Sequence, residues 1–162
     1  MIKAATDRIK DSYMILKWFN FYGLTFLAAI MIPNVVFAYT HKNGFENRYS
    51  NKCVEILEQI GRVGCFVFIF VSVPPLVKDF WFDGGELVYI ICGSALTLAY
   101  VIGWLMFWRE NSIRKSLFLS IVPSLMFIVC GVVSLNIPLI AASVIFAPCH
   151  VLISYKNAKP TE

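Results

Sequence analysis

The chain has 162 residues, 59% hydrophobic and 15% charged, with a net charge of +4 and a mean hydropathy of +0.72. Soluble domains carry about 25% charged residues, so the composition excludes an ordinary water-soluble domain; the length suits one compact bundle of about four to six helices, a single transmembrane domain over residues 1–162. The basic residues sit in short blocks between apolar stretches, a pattern of loops at an anionic membrane surface, and no nucleic-acid partner is expected.

Residues 1–17 are polar, with Lys3, Arg8, Lys10 and Lys17 set against Asp7 and Asp11. They read as a short segment lying at the membrane interface. Residues 18–40 follow, and Trp18 to Tyr39 carries no charge. This stretch exceeds the roughly 7–15 apolar residues of a signal peptide, so it reads as a retained first span. Pro33-Asn34 interrupts it, and proline inside a helix predicts a kink or a break.

Residues 40–52 form the most polar loop, with Asn43-Gly44 as a turn signal. From Asn51 to Arg62 the chain turns amphipathic. Val54, Leu57 and Gly61/Gly64, flanked by Ile56 and Ile60, follow helical spacing, and Glu55, Glu58, Gln59 and Arg62 gather on the other face. Glu58 and Arg62 stand four apart with the acid first, the better order for an ion pair. Only Val63–Val77 is strictly uncharged here. Those residues would cover roughly 22 Å of helix, short of the about 30 Å of hydrocarbon in a bilayer. The second span is therefore expected over residues 56–76, with Arg62 snorkelling or paired, and an end near Pro74-Pro75.

The acidic loop from Lys78 to Glu86 contains Phe80-Trp81-Phe82, suited to an interfacial aromatic belt. Residues 87–108 are the third span. Ala95, Ala99 and Gly103 recur in it every four residues, a stripe that lets a partner helix approach closely. After the basic loop Arg109–Lys115, the chain runs from Ser116 to Tyr155 without one Asp, Glu, Lys or Arg. That is two crossings, residues 116–133 and 138–155, joined by a tight turn. Residues 156–162 form a polar tail. The expected fold is all-α, a polytopic transmembrane bundle of five spans.

Five crossings with the N-terminus outside place nine of the fourteen Lys and Arg inside and five outside. The positive-inside tendency favours that N-out, C-in orientation at the cell membrane, although four basic residues of the N-terminal segment fall on the outer side. A first segment that dips in and returns at Pro33-Asn34 would place thirteen inside, and N-in remains the third arrangement.

Ionisable residues that must lie within a span are costly and often functional. Arg62 and Glu58 fit that description, because the second span reaches full length only by including them. One reading is a polar pocket in which Arg62 holds an anionic head group or a carboxylate and Glu58 positions Arg62. The other is an ion pair that sets the helix depth. Asn34, beside the proline, either bonds a freed backbone carbonyl or binds a ligand at a broken helix. Gln59 and His150 complete the ligand-binding candidates Asn34, Glu58, Gln59, Arg62 and His150, with the ligand between spans one, two and five. Two histidines, His41 and His150, without Cys-x-x-Cys-His argue against haem or another metal, and no cofactor is expected. Cys53, Cys65, Cys92, Cys130 and Cys149 read as small buried hydrophobes rather than disulfides. No catalytic motif is present, so catalysis is not favoured.

Ile32-Pro33-Asn34-Val35-Val36, Asn43-Gly44-Phe45-Glu46-Asn47, Asn51-Lys52 and Glu58-Gln59-Ile60-Gly61-Arg62-Val63-Gly64-Cys65 resemble runs in a group of small uncharacterised bacterial polytopic membrane proteins. The resemblance covers about the first 70 residues. It implies a bacterial inner-membrane setting and carries no activity. Three functions stay open: a ligand-binding or transport-related protein, alone or as one subunit of a larger assembly; a non-catalytic accessory or sensor protein; and an intramembrane lipid-modifying enzyme. A solute-sized polar cavity would favour the first, an interior closed by aromatics the second, and a lipid-sized groove beside Glu58, Arg62 and His150 the third.

Overall fold

The computed structural model describes residues 18–41, 49–73, 76–77 and 80–159. Regular structure among them is helical: α1 Phe21–Thr40, α2 Lys52–Phe68, α3 Gly85–Met106, α4 Ile113–Val133 and α5 Ile137–Ala158. Most starts are written in side-chain chemistry. Asn20, Asn51, Ser112 and Asn136 each accept a hydrogen bond from the backbone N–H three residues on, the N-cap that satisfies an orphan donor of the first turn. Pro138 in the first turn of α5 forfeits a donor that has no helical partner there. α3 instead follows Gly84 at φ +90°, a left-handed conformation that glycine adopts without strain.

Consecutive helices run antiparallel. In space α2 packs on α5, α5 on α4, α4 on α3, and α3 on α1. One end of the bundle joins the start of α1 to the segment after α2. Asn20 N–H donates to Phe70 O at 2.7 Å, and Ser72 N–H to Trp18 O at 2.8 Å. Asn136 Nδ2 donates to Phe68 O at 2.7 Å, which closes the end of α2 onto the start of α5. At the opposite end Tyr49 N–H donates to Asn157 Oδ1 at 2.9 Å, and Ser116 Oγ to Ser154 O at 2.7 Å. α2 therefore runs the full height of the bundle.

Four helices, α1, α3, α4 and α5, are long and apolar enough to cross a membrane. The chain thus has the architecture of a multi-pass helical membrane protein. Their apolar side chains point largely outward: Ile32, Leu98, Leu105 and Val144 are among many exposed large hydrophobics. Water would penalise such a surface and lipid does not. The interior is aromatic and small. Phe26 meets Tyr89, Phe127 meets Phe146, and Phe37 meets Trp104, at ring separations of 5.8, 5.9 and 4.8 Å.

Several expectations change. α2 is not among the four apolar helices: it has 17 residues, begins at Lys52 rather than residue 56, and stops at Phe68 rather than residue 76. Its charges interrupt the apolar run, and the chain leaves the helix where Val71 pairs with Phe19. The break at Pro33-Asn34 is absent, since α1 is continuous through Pro33; a return of the chain at that point is not formed. The missing donor costs one bond inside a helix that both neighbouring turns still hold. The buried side of α2 also cuts across the two faces drawn from the sequence: Gln59 is exposed along with Leu57, and Gly61 is buried along with Glu58. Glu58, Gly61 and Cys65 are buried, while Ile56, Leu57, Ile60 and Val63 are exposed. Residues 1–17, the Asn43-Gly44 turn and Pro74-Pro75 lie outside the described residues, as do residues 160–162 of the tail; Lys156 belongs to α5.

Candidate functional site

The buried face of α2 meets α5 across glycine. A Cβ on Gly61 would lie 2.7 Å from Phe146 N and 2.8 Å from Phe146 Cα, and one on Gly64 would lie 2.8 Å from Ala142 Cβ. Only bare backbone allows this approach. Glu58 stands one turn from Gly61, and His150 one turn from Phe146. Close packing of the two helices therefore presses the carboxylate against the imidazole.

Glu58 is 2% exposed. Its Oε1 accepts three hydrogen bonds: from Arg62 Nε at 3.0 Å, Arg62 Nη2 at 2.5 Å and His150 Nδ1 at 2.9 Å. The His150 ring stacks on Phe146 at 4.5 Å, which fixes its plane. The side chain of Arg62 is 38% exposed, so the guanidinium faces outward with its inner edge engaged. At about 1.5 Å per residue, Glu58 lies roughly 9 Å and Arg62 roughly 15 Å beyond the start of α2, and His150 roughly 12 Å before the end of α5. These groups are well inside the height of the bundle. Glu58 and Arg62 cancel in charge, and a protonated His150 would leave the cluster at +1.

The other candidates lie apart. Asn34 Nδ2 donates to Ile30 O at 2.8 Å, and its Oδ1 accepts from Tyr100 at 3.0 Å. It is a strut between α1 and α3, and the carbonyl it takes is one residue beyond the one that proline leaves free. Gln59 is exposed and makes no hydrogen bond among the described residues. His41 stacks on Phe37 at 4.3 Å and meets Trp108 edge-on, a different cluster from that of His150. Among the described residues no three His, Cys, Asp or Glu side chains converge on a metal position. All five cysteines are free thiols.

One arrangement had no clear signal in the sequence. Lys115, only 9% exposed, places Nζ 4.5 Å over the Phe37 ring and 5.1 Å over that of Trp104. It also donates to Trp108 O and Glu110 O at 3.4 and 3.1 Å. A cation there satisfies carbonyls left open where α3 ends. Trp104 Nε1 beneath it is buried without a hydrogen-bond partner among the described residues.

Two grooves open on the outside of the bundle. One, of about 520 Å³, lies between α4 and α5; the other, of about 640 Å³, lies between α1 and α3. Neither is lined by Glu58, Arg62 or His150. No family model matches the chain, and neither a curated protein nor a solved structure matches it.

Proposed function

We propose that this chain is a five-span protein of the cell membrane that binds a small carboxylate- or phosphate-bearing ligand at Arg62. The supporting observation is the division of labour on one guanidinium. Glu58, almost fully buried, engages Nε and Nη2, while Nη1 has no partner among the described residues and the side chain stays 38% exposed. A planar fork held by one edge presents its other edge to an anion in fixed geometry. His150 buttresses the carboxylate from the neighbouring helix.

The fifth span is α2. Its length of about 26 Å approaches the hydrocarbon thickness. Its outward Ile56, Leu57, Ile60 and Val63 suit lipid, and its inward Glu58, Gly61 and Cys65 suit a helix partner. The positive-inside tendency supports an N-terminus outside and a C-terminus inside, which leaves nine of the fourteen Lys and Arg on the inner side. A bacterial inner membrane is the setting that the resemblance of the first 70 or so residues suggests. Exposed Ala95 and half-buried Ala99 offer a face to a helix of another subunit; Gly103 of the same stripe is occupied by Phe118.

The aromatic interior argues against conduction and supports a second reading, a non-catalytic accessory or sensor protein acting by contacts. Catalysis on a lipid gains no support from the α4–α5 and α1–α3 grooves, which are not lined by the carboxylate or the imidazole. Native mass spectrometry of protein purified in mild detergent tests the proposal. A co-purified anionic metabolite should be lost in Arg62→Leu and partly kept in Arg62→Lys, with the unfolding temperature nearly unchanged. If Arg62→Leu reduces folded protein in step with the adduct, the pair is structural and the proposal fails.

A further inference from the structure

We propose that the α4–α5 groove is a binding site for one anionic phospholipid, with an acyl chain in the groove and the phosphate against Arg114, Lys156 and Lys159. The site is separate from the Glu58–Arg62–His150 cluster. Leu117, Ile121, Leu125 and Ile128 of α4 and Ala147, Pro148, Val151 and Leu152 of α5 form its walls. Small Ser124 and Ala147 hollow the seam between the helices, and Tyr155 stands at the mouth. From Leu117 to Ile128 the groove is about 17 Å long, close to half of the roughly 30 Å hydrocarbon layer. It therefore accommodates a chain from one leaflet and not from the other.

The charge at the mouth selects the head group. Arg114 precedes Leu117 by three residues and Ile121 by seven, so it shares their face of α4. Lys156 and Lys159 follow Leu152 and Tyr155 by four residues each. All three are exposed. Between Ile113 and Ala158 every charged residue is basic, and all of them stand at this end. Ser116 Oγ bonded to Ser154 O ties the two helices together beside the mouth, which holds the basic rim in place. Exposed Lys and Arg at a membrane surface attract anionic head groups, and the groove localises that attraction to one lipid.

The test uses the full chain in nanodiscs of phosphatidylglycerol and phosphatidylcholine in equal parts, with retained lipid read by native mass spectrometry. The wild type should keep one phosphatidylglycerol in about tenfold excess over phosphatidylcholine. The triple variant Arg114→Gln, Lys156→Gln, Lys159→Gln should keep a lipid but lose the preference. Leu125→Trp, which fills the groove, should lose the retained lipid; Ile121→Trp provides the same filling should the first variant fold poorly. Leu98→Trp, exposed on α3 and lining neither groove, should behave as wild type. Equal retention of both lipids by the wild type overturns the proposal. So does an unchanged preference in the triple variant, or equal loss in Leu98→Trp and Leu125→Trp. Binding of inorganic phosphate to this rim without lipid, abolished in the triple variant, would make it an ion site and also overturn it.

Discussion

Glu58, Arg62 and His150 are not equivalent members of their cluster. A carboxylate that loses its partner can take up a proton and become neutral; a guanidinium cannot. Arg62→Leu therefore leaves a group that still bonds His150 and can discharge itself. Glu58→Leu leaves a permanent cation on the flank of the bundle without the carboxylate that held it. We expect Glu58→Leu to cost about 2–3 kcal/mol, reduced from the fully buried case because Arg62 reaches the surface, and Arg62→Leu to cost clearly less. The double variant Glu58→Leu, Arg62→Leu should recover most of the loss. Reversible unfolding in detergent, analysed as a double-mutant cycle, checks this; additive losses would mean that the two side chains do not act as a pair. The i, i+4 spacing makes the pair legible in the sequence, whereas its meeting with His150, 92 positions along the chain, is a product of packing.

α2 buries small and acidic residues and exposes large apolar ones. By the logic of a soluble helix its apolar residues belong inside. In this chain they point out, and the buried face holds a glutamate, a glycine and a cysteine. The solvent decides which face is buried, and hydrophobic periodicity alone leaves that question open. Glycine then sets the distance to α5. Gly61→Ala places a methyl against Phe146 backbone, which has no rotamer to give, so we expect a loss of about 1–3 kcal/mol that substitution at Phe146 does not repair. Gly64→Ala meets the Ala142 methyl instead. Exchanging the two in Gly64→Ala, Ala142→Gly should restore stability to near wild type. Unfolding midpoints of these three variants decide the matter, and a failed exchange would show that the seam is not set by these methyls.

A crossing of the bilayer by α2 puts the two ends of that helix on opposite sides of the membrane. Cys53 is exposed just inside the start of α2, and Asp83 is exposed beyond its end. With the other cysteines replaced, Cys53 should react with a membrane-impermeant thiol reagent only from the inside. A cysteine introduced by Asp83→Cys in place of Cys53 should react only from the outside. Labelling of both from one side would place α2 on the membrane surface and leave four crossings. The same pair of variants reads the orientation, since the N-out arrangement requires the Cys53 side to be cytoplasmic.

Composition and the chargeless run from Ser116 to Tyr155 were enough to establish an all-helical chain built for lipid, because a bilayer demands long apolar helices and tolerates few alternatives. Helix starts were legible only in part: the Asn and Ser caps are local chemistry, but Asn136 also closes a distant helix. The unbroken course of α1 through Pro33, the burial of Glu58 beside Gly61 on α2, the burial of Lys115 beneath two aromatic rings and the encounter of Glu58 with His150 were decided by tertiary structure. Each depends on which helices lie side by side, and in lipid that order is set by close contact between small residues. Such contacts join positions far apart in the chain, and a periodic stripe such as Ala95, Ala99 and Gly103 does not say which helix it meets.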